Sequence, residues 1–324
     1  METKLDTEIN QLLDEAEARQ SCASSGAQRL RRAMDRRCQR GTLTSPMRGL
    51  YARSDQWHEM DLRSRRLHVI RGLARQHPTW VFCQASAALI YGLAISPETT
   101  ELVHVAVPLR SRTPACEGVV FHIVEGDEPE VRGGVLTTSL LRTTLDCLLT
   151  FDFRDGLAVA DSYLRLTGSG SDELCGAVRG RCRSVFDVRR VLRTIKLANP
   201  LAENYRESVA RAAMIELGYE PPRLKVPIPG TGTPGNPLKA DFSWTRADGT
   251  PVYAMLEDGG DPFDMRFVGE AGRAKASPAK DGADGGRTDE EGPATPAIAR
   301  RVPEVPPVLA GGAPLCEEQL ALGA

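Results

Sequence analysis

The chain changes character near residue 268, and that break limits what can fold. From 269 to 324 roughly half of the residues are Gly, Ala or Pro and none is aromatic, so the stretch cannot bury enough apolar surface to offset the entropy of ordering. Disorder is expected over 268–324, with a helical turn at CEEQLALG. A packed core must therefore come from the residues before the break, a length that suits two or three domains of ~100–200 residues each.

Charge divides this folded part unevenly. The formal net charge is −2. Yet residues 19–75 hold fourteen Arg, no Lys and four acids, Asp35, Asp55, Glu59 and Asp61. A local cationic excess of this kind suits phosphate, and a solvated helix face is the plainer alternative. The N-terminal METKLDTEINQLLDEAEARQ is acidic and has neither the basic start nor the apolar centre of a signal peptide. No apolar run approaches the ~18 residues of a membrane span. A cytoplasmic protein with no membrane partner is expected. The eight Cys are scattered without a CxxC pair, which excludes zinc-ribbon spacing and argues against a disulfide framework.

Periodicity supplies the order of elements. Leu5, Ile9, Leu12, Leu13 and Ala16 recur at helical spacing. Ser24 and Ser25 can cap a second helix, AQRLRRAMDRRCQR, which stops at Gly41 where a left-handed residue is cheap. TLTSPMRGLYAR then reads as a β-hairpin turning at Arg48 and Gly49. Helix, basic helix and hairpin is the order of a winged helix-turn-helix, in which Arg29, Arg31, Arg32, Arg36, Arg37 and Arg40 could meet double-stranded DNA while Arg48 tips the wing. The alternative use of such a module is protein docking, with Arg48 in water.

Further on, MDLRSRRLHVIRGLARQ reads as a helix, ELVHVAVPLR and GVVFHIVEG as strands, and VLTTSLLRTTLDCLLTF as a segment that starts extended and turns helical near Ser139. His104 and His122 fall on neighbouring strands, where they could ligate a metal or pack. Arg142 and Asp146, four residues apart on the helix, are spaced for an ion pair. Helical patterns continue through 172–198 and 202–219, and KVPIP, LKADFSW and VYAML follow as short strands that begin a new unit.

With RRAMDRRCQRGTLTSPMRGLYAR, CQASAALIYGL, LVHVAVPLRSR and GGVLTTSLLRTTLDCL, the chain resembles the AbiEi-type antitoxins of type IV toxin–antitoxin systems. The matching positions are Ser86, Ala87, Ala88, Gly92 and Leu93, then Thr138, Ser139, Arg142, Thr143 and Asp146, within a likeness that covers about residues 8–165. The resemblance implies an N-terminal winged helix, an α/β domain behind it, operator DNA and a cognate toxin as partners.

A second likeness begins at AENYRESVARAAMIELGYEPPRLKVPI and continues through KADFSW and VYAMLEDGG. Here the chain is similar to domains related to very-short-patch-repair endonucleases of the PD-(D/E)XK group. That group holds Mg²⁺ with a helix Glu, a strand Asp and an acidic-x-Lys element on the next strand. The likeness gives catalytic roles to Glu207, Asp241 and Glu257, with Asp241 and Glu257 as ligands if the site is active. The third element departs from the pattern: an ungapped alignment puts Met255 where the Glu belongs, sliding Glu257 there leaves Gly259 in the Asp position, and no Lys follows before Lys275.

The expected fold is therefore α+β and multidomain: a winged helix-turn-helix at 1–58, an α/β and helical domain at 59–198, a partial restriction-endonuclease-like core at 199–267 and the tail. The expected function is a DNA-binding, antitoxin-like regulator whose nuclease-like core is disabled and needs no cofactor. A Mg²⁺-dependent DNA endonuclease and a protein scaffold without DNA affinity are the alternatives.

Overall fold

A computed structural model describes residues 3–111, 114–181, 185–233, 235–257 and 264–268. The segment expected to be disordered lies, from residue 269 onward, outside the described residues. The architecture is α+β with several sheets. The chain divides into two compact units, Met1–Ala212 and Ala213–Ala324. The expected segments 1–58 and 59–198 both lie in the first, and the division falls inside a helix rather than ahead of it.

The first unit begins with α1 (Lys4–Ala18). Thr3 accepts the Asp6 amide proton while the Asp6 carboxylate accepts that of Thr3, a reciprocal cap that satisfies two otherwise orphaned donors. Ile9, Leu13 and Ala16 form the buried stripe. In α2 (Gln28–Gln39) the start differs from the expected serine cap. Ala27 occupies the N-cap without a side-chain bond, and Ser25 accepts the amide proton of Ala27 just ahead of the helix. Gly41 takes φ +78°, the left-handed conformation that ends the helix at little cost.

Strands β1 (Leu43–Met47) and β2 (Leu50–Arg53) pair antiparallel. A short helix that the sequence did not suggest, α3 (Ser54–Glu59), follows, and then α4 (Leu62–Gln76), the helix expected from MDLRSRRLHVIRGLARQ, capped by Asp61. Leu50 and Cys22 pack against Gly72 of α4, where a Cβ would lie 3.0 and 3.1 Å from their side chains. That close approach joins the hairpin to the core behind it, so both belong to one hydrophobic cluster.

The larger sheet has the order β5-β4-β3-β7-β6. Its strands are β3 (Val81–Phe82), β4 (Val103–Val107), β5 (Val119–Ile123), β6 (Glu130–Arg132) and β7 (Val135–Thr137). β3 pairs antiparallel with β4 and parallel with β7, and β4 with β5 is parallel. The alanine-rich α5 (Gln84–Tyr91) follows β3 and is almost wholly buried. Ser139 ends the extended run after β7 and caps α6 (Leu140–Thr150). Helices α7 (Phe153–Thr167), α8 (Ser171–Arg181) and α9 (Val185–Lys196) complete the layer, with Leu145, Leu148, Val159, Val178 and Ile195 in the core.

Helix α10 (Tyr205–Glu216) carries the unit boundary. In the second unit β8 (Arg223–Pro227), β9 (Lys239–Thr245), β10 (Pro251–Leu256) and β11 (Met265–Val268) form an antiparallel meander around Ile228, Ala240 and Tyr253. β11 falls in a stretch for which the sequence suggested acidity rather than a strand.

Candidate nucleic-acid interface

The amphipathic α2 sorts its arginines by what each can reach. Its inner face buries Ala33 and Met34. At the rim, Arg37 meets Asp6 and Arg29 meets Glu8, both across to α1. From the hairpin, Arg53 pairs with Asp14 at 2.7 Å and with Glu17. The acidic N-terminal helix thus ties three guanidinium groups, with Arg37 and Arg53 half-buried and Arg29 still exposed. Arg31, Arg32 and Arg36 remain exposed on α2, as does Arg40 at its C-cap, and Arg48 is exposed at the hairpin turn. Arg32, Arg36 and Arg40 recur every fourth residue, so they rise along one solvent face. Of the seven arginines expected to contact DNA, six are exposed and Arg37 is half-buried; two of the seven, Arg29 and Arg37, are tied to carboxylates of α1.

The carboxylates expected in a nuclease site have their own surroundings. Glu207 belongs to the first unit, and Asp241 and Glu257 to the second. Glu207 is 4% exposed. Its carboxylate accepts the Glu203 amide proton and a proton from Asn204 Nδ2, each at 2.9 Å, while Asn204 Oδ1 accepts the Glu207 amide proton. This reciprocal bracket starts α10, and Asn-x-x-Glu ahead of an apolar run was its sequence signal. Asp241, on β9, accepts Lys225 Nζ on one oxygen and the Leu256 amide on the other, both at 2.9 Å. Glu257 is exposed just past β10, and its backbone amide donates to Asp264.

Lys225 was not anticipated. It stands on β8 with φ +54°, in the left-handed region that non-glycine residues rarely adopt, and its side chain is largely sheltered along with that of Asp241. Among the described residues, no group of three or more His, Cys, Asp or Glu is placed to hold a metal ion. The donors around Asp241 do not fit Mg²⁺, which asks for several oxygens in near-octahedral array; here an ammonium and an amide proton occupy the carboxylate. Lys225→Met is expected to lower the unfolding free energy of the second unit by about 1 kcal/mol, because Asp241 keeps only the amide. A urea midpoint equal to wild type would refute that role.

Two further sequence candidates resolve into polar contacts. Arg142 Nε lies 2.8 and 3.0 Å from the Asp146 oxygens, so the i, i+4 ion pair forms. On β4 and β5, His104 Nδ1 and His122 Nε2 are 2.8 Å apart, and His122 Nδ1 lies 3.2 Å from Gln84 Nε2. Burial, and then the neighbouring His122, push the His104 imidazole down to about 4. Burial also lowers His122.

The sign of this effect fixes a pH dependence. Between about 4 and the ordinary value of 6.5 the unfolded chain holds a proton that folded His104 refuses. Its contribution is intact above 6.5, is lost as pH falls through that window, and levels off below it. The loss is on the order of 2 kcal/mol after allowance for partial exposure. Asp146, raised by burial, acts in the opposite sense, so the useful quantity is the difference from His104→Asn. Urea unfolding of the first unit at pH 7.5 and 5.0 should show the steeper fall in wild type; equal falls would contradict the assignment.

No protein-family model matches the chain. It is similar to two uncharacterized proteins of Mycobacterium tuberculosis, MT2308 of strain CDC 1551 / Oshkosh and Rv2248 of strain ATCC 25618 / H37Rv. Each is 30% identical over 188 residues, a match covering 57% of this chain and 66% of the relative. The chain spans just under two thirds of the length of these relatives. Among the described residues, no helix is long and apolar enough to cross a membrane.

Proposed function

We propose that this chain is a double-stranded-DNA-binding regulator of the antitoxin type, with a nuclease-like second unit that does not cleave. The observation that supports it is the outward set Arg31, Arg32, Arg36, Arg40 and Arg48, exposed on one helix and the adjoining hairpin turn. Guanidinium groups in such an array neutralise backbone phosphates, and a helix of this kind can enter the major groove while the hairpin lies alongside. A cognate toxin is the protein partner that the antitoxin likeness implies.

Lys225 supports the non-cleaving half of the reading, since it occupies the carboxylate that a metal would need. Fluorescence anisotropy with duplex DNA from the region upstream of the gene, measured at 50 and 200 mM salt, tests DNA binding. Saturable binding that weakens steeply with salt is expected, and flat anisotropy at 50 mM would sink the reading. The same DNA incubated with Mg²⁺ should stay intact. Cleavage that disappears in Asp241→Ala would instead establish an endonuclease.

A further inference from the structure

A groove of about 500 Å³ in the first unit has a composition that DNA-backbone binding does not explain. Met47 and Arg48 of the hairpin, Trp57 of α3 and Arg65 and Arg66 of α4 contribute to its lining, and so do Glu101 and Glu117 from the segments ahead of β4 and β5. Arg65 lies over the Trp57 indole, its guanidinium carbon 5.8 Å from the ring centroid, and donates to the His58 carbonyl. The Nε atoms of Arg65 and Arg66 are both buried without a hydrogen-bond partner. Buried polar hydrogens of this kind nearly always meet an acceptor, and a cation bears the larger cost when none is present. Those two atoms are closed off from the groove itself, but both side chains are half-buried and, with the exposed Arg48, contribute to its lining, which makes that side of the groove cationic.

The glutamates narrow the choice. A DNA backbone offers repeated phosphates and no donors, so Glu101 and Glu117 would repel it. A ligand with one anionic end and several N–H or O–H groups satisfies both kinds of lining. An apolar or planar body would lie against Trp57 and Met47, in a volume within the ~300–1,000 Å³ range of small-molecule sites.

We propose that this groove binds a mononucleotide, its phosphate held by Arg48, Arg65 and Arg66 and its sugar hydroxyl and base amino groups facing Glu101 and Glu117. Arginine suits the phosphate because its planar fork donates two parallel bonds to two oxygens. The indole and the methionine thioether give the base an apolar surface.

Calorimetric titration of the full chain with adenosine, guanosine, cytidine and uridine 5′-monophosphate tests the assignment. At least one should bind saturably, with the corresponding nucleoside and inorganic phosphate alone about tenfold weaker or more, since each makes half of the contacts. Arg66→Gln should weaken that binding by about tenfold or more, and Trp57→Leu should also weaken it. The thermal midpoint of each variant, compared with wild type, guards against a folding defect, and Arg66→Gln should leave duplex-DNA affinity unchanged. Absence of saturable heat with all four nucleotides would overturn the proposal. So would nucleotide binding that survives Arg66→Gln, or an Arg66→Gln defect confined to duplex DNA.

Discussion

Asp161→Ala is expected to cost the first unit about 3–5 kcal/mol, the largest stability loss of any single change considered. Asp161, on α7, and Arg211, on α10, have side chains 0% and 2% exposed. One guanidinium nitrogen lies 2.6 Å from both carboxylate oxygens. The same carboxylate accepts the Asn199 amide at 2.7 Å and the Ser208 hydroxyl at 2.8 Å. Removing it leaves the buried Arg211 cation with only the Leu197 carbonyl on its other nitrogen, the Asn199 amide without this acceptor, and the Ser208 hydroxyl with a long 3.4 Å contact to the Asn204 carbonyl. Arg211 also has a buried Nε with no partner, so the guanidinium has little satisfaction in reserve.

Replacing the whole pair behaves differently, because a well-packed apolar substitute has no charge to desolvate. Asp161→Leu combined with Arg211→Met should recover most of the loss, leaving the double variant within about 2 kcal/mol of wild type. Urea unfolding of Asp161→Leu, Arg211→Met and the double variant gives the coupling. Strictly additive losses would show that the pair is not interacting as its geometry implies.

The second large expectation concerns the proposed DNA binding. Replacing Arg31, Arg32, Arg36 and Arg40 together by Ala should lower affinity at 100 mM salt by about 10²–10³-fold and flatten the slope of log K against log salt by roughly 3 to 4. Each lost phosphate contact removes close to one released counterion. Arg37→Ala provides the contrast. Its guanidinium is tied to Asp6, so its replacement should move the unfolding midpoint slightly and the salt slope hardly at all. A quadruple variant with unchanged affinity and slope would overturn the proposed DNA-binding role of this face.

This division between tied and free arginines was hidden in the sequence. The excess of Arg over 19–75 was visible, and helical spacing marked the face. Which cations would be consumed depended on α1, whose acids Asp6, Glu8, Asp14 and Glu17 come within reach only after folding. Elements with strong periodicity were legible: α1, α2, the hairpin, and the strand-to-helix change at Ser139. Short elements were not. β3 has two residues and β6 three, too few for alternation to register. In the carboxylate elements the type of residue was legible and its employment was not. Glu207 bonds inside its own helix start, and Lys225 reaches Asp241 from a strand fourteen residues or more upstream of it in the chain.

The strand order of the five-stranded sheet carries a consequence for how the chain assembles during synthesis. β3 lies at its centre, with β4 on one side and β7 on the other. β4 leaves the ribosome soon after β3, whereas β7 arrives only at Val135. Until then β3, β4 and β5 form a half-sheet whose inner edge at Val81 and Phe82 lacks its partner, and the α6 helix that packs on α5 is not yet made. Fragments released with an end before residue 135 should therefore bind chaperones or self-associate through that edge, and those that extend well past residue 150 should lose this tendency as β7 and α6 close over Phe82.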